Sequence, residues 1–341
     1  MDLQLLERAL AELGQPAFRA GQVWEWTARG ATSYEEMTNL PVAVREELSG
    51  RVPLSSLALE REALASDGTE KALFATADGR PLETVLMRYR DGRRSLCLSS
   101  QSGCPLTCTF CATGKMKFAR NLTASEILDQ ALHFRRKEPV DHAVFMGMGE
   151  PMLNIDSVLA ACERLPAVGI HPSSTTISTV GWIPGIDRMT AHDGPTIRLA
   201  LSLHAPDDAL RSEIMPVNDR YPLADVLGAC RRWHEVRKRK VYIEYLMLSG
   251  VNDRYEQAVA LARLLAPRTA FKVNLIPYNP TPRGLQRGAA PPFGNSEFEG
   301  SSREAIATFR DALEERGMPA TVRLTRGRDI DAACGQLAAR G

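Results

Sequence analysis

This 341-residue chain has almost no net charge and no long apolar run. Its 42 Lys and Arg nearly balance its 41 Asp and Glu, leaving a formal charge of +1, which argues against a nucleic-acid binder driven by bulk charge alone. No apolar stretch approaches the ~20 residues that cross a bilayer. Met1-Asp2-Leu3-Gln4 offers neither a basic n-region nor an apolar h-region, so a cytosolic (cytoplasmic) location is expected. Also missing are a second C-x2-C pair and any histidine at ligand spacing beside the cysteines, so the four-ligand set of a structural zinc site is not there.

Apolar residues at 44% and charged residues at 24% fit an ordinary globular protein, long enough for one large α/β domain and a smaller module. Basic residues cluster locally, at Lys115, Lys117 and Arg120, at Arg231 and Arg232, and through Arg237-Lys238-Arg239-Lys240. A solvated helix face explains the last of these as well as a phosphate contact does. The cysteines are more informative. There are seven, an odd number, and Cys97, Cys104, Cys108 and Cys111 fall within fifteen residues, with Cys162, Cys230 and Cys334 apart. In a reducing compartment such clustering favours metal or redox chemistry over a disulfide framework.

Leu3, Leu6, Leu10 and Leu13 recur at helical spacing until Gly14 and Pro16. Ser33 to Glu36 reads as a capping box opening a second helical stretch that Gly50 closes, so residues 1–65 are expected to form a small helical module. Alternating segments joined by Asp-Gly turns follow, at Ala72–Thr76, Glu83–Met87 and Ser95–Ser99, as in a β-meander. Residues 66–94 are read as this hairpin region, linking to a core over 95–341.

Strand-like runs then alternate with helical ones: Ala143–Met146, Thr175–Thr179, Ile197–Leu203, Val241–Leu248, Phe271–Ile276 and Thr321–Leu324, with helices such as Thr123–Lys137, Leu223–Arg237 and Arg303–Glu315 between them. This is the pattern of parallel βα units, and six or seven of them predict a full or partial (βα) barrel. Polar motifs follow the strands where barrels carry active sites: Gly147 to Pro151, Ser178-Thr179, Ser202-Leu203-His204, and Asn274 with Asn279. Residues 280–302, rich in Pro and Gly, read as a long substrate-side loop.

Cys104-Pro-Leu-Thr-Cys108-Thr-Phe-Cys111 is a C-x3-C-x2-C triad in a loop after a strand. Each iron of a [4Fe–4S] cluster wants a thiolate, and three cysteines leave one iron open. S-adenosylmethionine (SAM) can chelate that iron through its amino and carboxylate groups. A zinc loop or chance clustering is the plainer alternative.

At these residues the chain resembles the radical SAM superfamily. The run Cys97 to Leu122, together with Gly147-Met-Gly-Glu-Pro151, Ser202-Leu-His-Ala205 and Asp329-Ile-Asp-Ala-Ala-Cys334-Gly-Gln-Leu337, resembles the RlmN/Cfr family of RNA adenine methyltransferases. The similarity runs from about residue 70 to the end, and the N-terminal module fits it. The resemblance implies a barrel of the radical SAM type and two cofactors, one [4Fe–4S] cluster and SAM. The implied partners are 23S rRNA, a tRNA, and an electron donor such as flavodoxin or ferredoxin, with no membrane.

Position by position, the resemblance implies that Cys104, Cys108 and Cys111 hold the cluster. Gly149 and Glu150 would recognise the SAM amino group, with Ser178, Ser202, Leu203, His204 and Asn279 as further SAM contacts. Cys334 would carry a methyl group, Cys97 would be its redox partner, and Glu83 a proton acceptor. Several of these have plainer readings: Glu83 as a solvent-facing strand residue, Ser178 and Ser202 as strand-end hydrogen-bonders, Cys97 as a small buried hydrophobe, His204 as a satisfied structural histidine. Cys162 and Cys230 match no role and are assigned to packing, as are Met146 and Met148.

The chemistry explains why such an enzyme needs two cysteines. The carbon between two ring nitrogens of adenine is electron-poor and its C–H is a very weak acid, so polar methyl transfer is closed. In the implied route a Cys334 thiolate first takes a methyl from SAM. A 5′-deoxyadenosyl radical then abstracts hydrogen from that methyl, and the resulting methylene adds to the ring. After the adduct radical loses one electron, a base removes the ring proton, Cys97 attacks the Cys334 sulfur to release the product, and the disulfide left behind is reduced by exchange. Pro151 and Arg323–Gly327 look like the group that methylates C2; the Asn218–Pro222 run is similar to the C8 group. Outside the family stand a radical SAM enzyme acting on a small molecule or protein, and a non-catalytic iron–sulfur or zinc RNA-binding protein.

Overall fold

The computed structural model describes residues 1–281 and 298–339; most of the expected loop at 280–302 lies outside them. The first helix forms where the leucine spacing places it. α1 (Leu3–Glu12) starts at Asp2, whose carboxylate accepts from the Gln4 and Leu5 N–H groups at 3.0 Å, and Gly14, at φ +64°, follows its end. With α2 (Phe18–Arg29) and α3 (Val42–Arg51) it encloses a separate core around Leu6, Leu10, Met37 and Leu48.

Two local expectations give way here. The Ser33–Glu36 capping box forms but opens only a single 3-10 turn, and Gly50 lies inside α3 rather than closing it. Residues 57–64 are a strand, not helix: β1 (Leu57–Leu64) pairs antiparallel with β2 (Glu70–Thr76). Its sequence, LALEREAL, is built of good helix formers, and it is an edge strand with only Leu57 fully buried. Pairing with its neighbour overrides so weak a local preference.

β2, β3 (Pro81–Arg88) and β4 (Arg94–Cys97) form the expected meander, turning at Gly79 and Gly92, both at positive φ. A two-stranded ribbon of β5 (Gln101–Ser102) and β6 (Arg120–Asn121) clasps the base of the cysteine loop. α4 (Ala124–Arg135) then starts on a Thr123–Glu126 capping box.

From there strand and helix alternate: β7 (His142–Phe145), α5 (Ile155–Val168), β8 (Thr175–Thr179), α6 (Ile183–Ala191), β9 (Arg198–Ser202), α7 (Asp208–Ile214), α8 (Leu223–Arg237), β10 (Val241–Met247), α9 (Tyr255–Leu264), β11 (Phe271–Pro277), α10 (Arg303–Glu315) and β12 (Ala320–Val322). The sheet order is β1-β2-β3-β4-β7-β8-β9-β10-β11-β12, parallel from β4 onward. The seven parallel strands form a partial barrel. β4 takes β3 on its other side, and among the described residues β12 pairs only with β11, so the cylinder stays open.

Cys162 and Cys230, on α5 and α8, are buried in the main core, where burial pushes both thiols up, Cys230 to about 12. Their packing role holds. Met148 is likewise fully buried.

Candidate active site

The loop after β5 brings Cys104, Cys108 and Cys111 to a cavity of about 940 Å³ at the C-terminal ends of the parallel strands. The loop can be this tight because of its glycines. A Cβ on Gly103, at φ +73°, would lie 2.3 Å from the Lys117 carbonyl oxygen, and one on Gly114 2.9 Å from that of Cys108. The Ala112 N–H donates to the Gly335 carbonyl at 2.8 Å, and the Thr113 hydroxyl to that of Leu337 at 2.7 Å. These bonds fasten the loop to the segment carrying Cys334.

Burial pushes the Cys108 thiol up to about 12 and raises Cys104 and Cys111 as well; neighbouring thiols add to the rise at Cys104 and Cys108. Three desolvated, mutually repelling thiols cannot all ionise unless a cation joins them, which is the condition a metal cluster satisfies. The donor set, three sulfurs in one pocket with room beside them, fits a [4Fe–4S] cluster with one iron left for another ligand.

Glu150, just after β7, is 3% exposed. Its carboxylate accepts from the Met152 and Val180 N–H groups, both at 3.0 Å, and burial raises it to about 7. No described Lys or Arg is paired with it, so it presents a buried carboxylate to the cavity. This suits a cationic ligand group such as the SAM ammonium. Gly149, at φ +96°, sets the turn: a Cβ there would sit 2.5 Å from Gln101 Cβ, and Gln101 Oε1 accepts the Glu150 N–H at 2.9 Å. Gly149→Ala is expected to cost about 1–3 kcal/mol from backbone strain alone, read as a lowered midpoint in chemical denaturation.

Ser178 and Ser202 close the same wall, their hydroxyl oxygens 3.5 Å apart at the ends of β8 and β9. His204 also lines it, with φ +59° in the left-handed region. Its Nδ1 accepts the Leu246 N–H at 3.0 Å, its ring meets Phe110 edge-on at 5.0 Å, and burial lowers it to about 3, so the ring is neutral. Leu203 is different: its side chain is fully buried in the main core and lines no part of the cavity.

A second cavity, of about 560 Å³, adjoins the first, and Cys334, Met146 and Ile276 line both. Cys97 and Asn279 line only the second. Asn279 is therefore placed on the far side of Cys334 from the three-cysteine loop, where its Oδ1 accepts from Arg328 Nε at 3.3 Å. Burial raises the Cys97 thiol, and the proximity of Cys334 raises it further. Both cysteines are free thiols here.

Glu83, on β3, is 1% exposed, which excludes the solvent-facing reading. It lines neither cavity. Its Oε1 pairs with Lys71 Nζ at 2.9 Å, and its Oε2 accepts the Ala338 and Ala339 N–H groups at 2.9 and 3.0 Å. The carboxylate thus anchors the segment that follows Cys334.

Two residues at the site escaped sequence reasoning, and a third was read only as part of the Arg323–Gly327 run. Glu244 on β10 lines the first cavity; the available signal was a lone acid inside the apolar run VYIEYLML. Arg211 is fully buried on α7 and donates to the carbonyls of Val180, Ser202 and Leu203, tying the ends of β8 and β9 together. Arg323, after β12, lines the second cavity. Met146 is more than packing, since its sulfur accepts from Arg323 Nη1 at 3.0 Å.

The basic clusters are largely committed within the fold. Arg120 pairs with Asp78 and Glu126, Arg232 with Asp187, and Arg237 donates to the carbonyls of Met189, Thr190 and His192.

Residues 98–262 match the family described as the radical SAM superfamily, and residues 1–53 match the ribosomal RNA large subunit methyltransferase N-terminal domain. A protein from Chloroflexus aurantiacus named "probable dual-specificity RNA methyltransferase RlmN" is 44% identical, covering 99% of this chain and 92% of its own. A Thermus thermophilus protein of the same name is 42% identical, covering 98% of this chain and 92% of its own. The crystal structure of a radical SAM methyltransferase from Sphaerobacter thermophilus superposes with a TM-score of 0.89 at 42% identity, covering 100% of this chain and 98% of that one. A [4Fe–4S] cluster and SAM are the cofactors of this superfamily. With its cysteine loop, its buried Glu150 and its second pair of thiols placed as described, the chain belongs to the RlmN family of radical SAM RNA methyltransferases.

Proposed function

We propose that this protein methylates C2 of an adenine in 23S rRNA, and the corresponding carbon of a tRNA adenine, using Cys334 as the methyl carrier. The observation that carries this reading is the position of Cys334 on the wall shared by two cavities, with the three-cysteine loop and Glu150 on one side and Cys97 on the other.

Cys104, Cys108 and Cys111 hold the cluster, and Glu150, Gly149, Ser178, Ser202 and His204 hold SAM. Leu203 contributes through its backbone, and Asn279 from the neighbouring cavity. A cluster held there, with SAM bound beside it, would supply one-electron cleavage of the sulfonium, the source of a carbon radical. Cys334, as thiolate, carries the methyl that becomes the bridging carbon to the base. Cys97 then attacks the Cys334 sulfur. The sulfur–carbon bond breaks, the released carbon takes a proton, and a Cys97–Cys334 disulfide is left for reduction by thiol exchange.

Glu83 lies one hydrogen bond from the Cys334 segment, with Oε2 held by the Ala338 and Ala339 N–H groups and Oε1 the oxygen that would accept the ring proton. The helices of residues 1–65 serve as the accessory RNA-contact module, residues 66–94 as the connecting hairpins and 95–341 as the catalytic barrel. A cytoplasmic flavodoxin or ferredoxin supplies the electrons. The base must leave its stack to reach a cavity this deep, so single-stranded or unfolded RNA is the better substrate.

Nucleoside analysis of RNA after turnover tests the reading: 2-methyladenosine is expected, whereas 8-methyladenosine would move the protein to the other branch of the family. Glu150→Gln is expected to weaken SAM binding by about 30-fold or more, as a buried charge pair loses one partner. Equilibrium dialysis against the cluster-loaded protein measures it, and unchanged affinity would remove Glu150 from the SAM site.

A further inference from the structure

Arg323 has no part in the scheme above, yet it lines the cavity that its two thiols share. It follows β12, its N–H donating to the Leu275 carbonyl at 2.9 Å, which fixes where the side chain starts. The side chain is one quarter exposed and lines the second cavity with Cys97 and Cys334. Nη1 donates to Met146 Sδ at 3.0 Å and reaches Glu244 Oε2 at 3.4 Å. Glu244 is itself held, its Oε1 accepting from Asn274 Nδ2 at 2.9 Å, and Asn274 Oδ1 accepts from the Thr321 hydroxyl at 2.7 Å. A chain of polar contacts across β10, β11 and β12 thus holds one guanidinium at the cavity that the thiol pair lines.

We infer that Arg323 is a positioning residue for methyl transfer, its guanidinium facing Cys97 and Cys334 and favouring the thiolate form of each, with Glu244 and Met146 holding it in place. This rests on the reading of Cys334 as methyl acceptor. The chemistry requires it: Cys334 must lose its proton to solvent before its sulfur takes the methyl and S-adenosylhomocysteine leaves, and Cys97 must lose its own before it attacks. Cys97 lies in a partly apolar wall, where desolvation opposes ionisation. A guanidinium, charged at every working pH, offsets that without competing for the proton.

The surrounding charges support this assignment. The groups facing the thiols are Arg323 and Arg326 from the segment after β12, Tyr89 from the end of β3, and Glu244 from β10. Arg326 lies over the Tyr89 ring at 4.8 Å and 3.9 Å from Asp67, so its charge already has partners in those two groups. Glu244 touches Arg323 through one oxygen only, leaving other guanidinium N–H donors. Burial works against the Arg323 charge, but Cys334 first and Glu244 second more than offset it, and its affinity for the proton is raised. Arg323 in turn opposes the rise that burial imposes on Cys97. A purely structural Arg323–Glu244 pair would involve neither sulfur.

The test is alkylation of the reduced, cluster-loaded protein by iodoacetamide without SAM, across a pH series, with mass spectrometry reporting Cys334 and Cys97 separately. Arg323→Met and Arg323→Gln are expected to move the Cys334 profile about one pH unit upward, lowering its alkylation near neutral pH about tenfold. Arg323→Lys keeps a positive charge and should restore most of the wild-type profile. Far-UV circular dichroism and the visible band identify any variant that fails to fold; two neutral variants keep the comparison available. Superimposable profiles for wild type and either folded neutral variant would overturn the inference. A separate incubation with SAM asks whether Cys334 is methylated at all: absence of methyl in the wild type would remove the acceptor reading while leaving the alkylation comparison to stand on its own.

Discussion

Cys334→Ala will leave RNA unmethylated while keeping the visible absorption of the cluster. Cys334 lies more than 200 residues beyond the cysteine loop in sequence, and its segment is fastened to that loop through the backbone carbonyls of Gly335 and Leu337. Removing its sulfur therefore deletes the methyl carrier without deleting a cluster ligand. Because polar methyl transfer to this ring carbon is closed, no slower route takes over, and product should fall to background rather than by a partial factor. Cys97→Ala should behave differently. Every step up to formation of the Cys334–carbon–base link remains possible, and only the attack that breaks it is lost. The expected result is a protein–RNA adduct that survives denaturing electrophoresis and disappears when Cys334 is also removed. Methylated RNA made at the wild-type rate by Cys334→Ala would end the methyl-carrier mechanism.

The second large effect is expected at the cluster. Cys108 is buried and lines one cavity with Cys104, Cys111 and Glu150. Reconstituted wild-type protein should carry about four irons per chain with a charge-transfer band in the visible. Cys108→Ala should lose both, since two thiolates cannot anchor a cube of iron and sulfur against solvent. Cys162→Ala is the matched control, removing a thiol of comparable burial from α5. It should keep the iron and lose only core-packing stability. Full iron content in Cys108→Ala would show that the loop is not the cluster site.

The fold was legible where period and punctuation agreed. Thr175–Thr179, Leu223–Arg237 and Arg303–Glu315 coincide with β8, α8 and α10 end for end, because burial on fixed faces, caps and glycines all point the same way there. β1 was read as helix because its composition favours helix and its edge position gives it almost no buried face to mark the two-residue period. The cluster cysteines and the Gly149-Glu150 turn were legible because their function depends on short-range spacing. Glu244, Arg211 and the role of Arg323 were not, since each acts through partners on other strands: Arg323 meets Met146 across 177 positions of sequence.

Sequence alone therefore determined the chemistry that local spacing encodes: three thiols for one cluster, a glycine turn presenting a carboxylate, and strands ending in polar motifs. Only the tertiary structure decided what faces what. It set Cys97 and Cys334 on a common wall, moved Asn279 to the far side of Cys334, gave Glu83 the backbone of Ala338 and Ala339 as its partners, and brought a guanidinium up to the thiols. The physical reason is that parallel strands gather their C-terminal ends into one place whatever their separation along the chain. Which side chains meet there depends on sheet order and register, which no local window of residues contains.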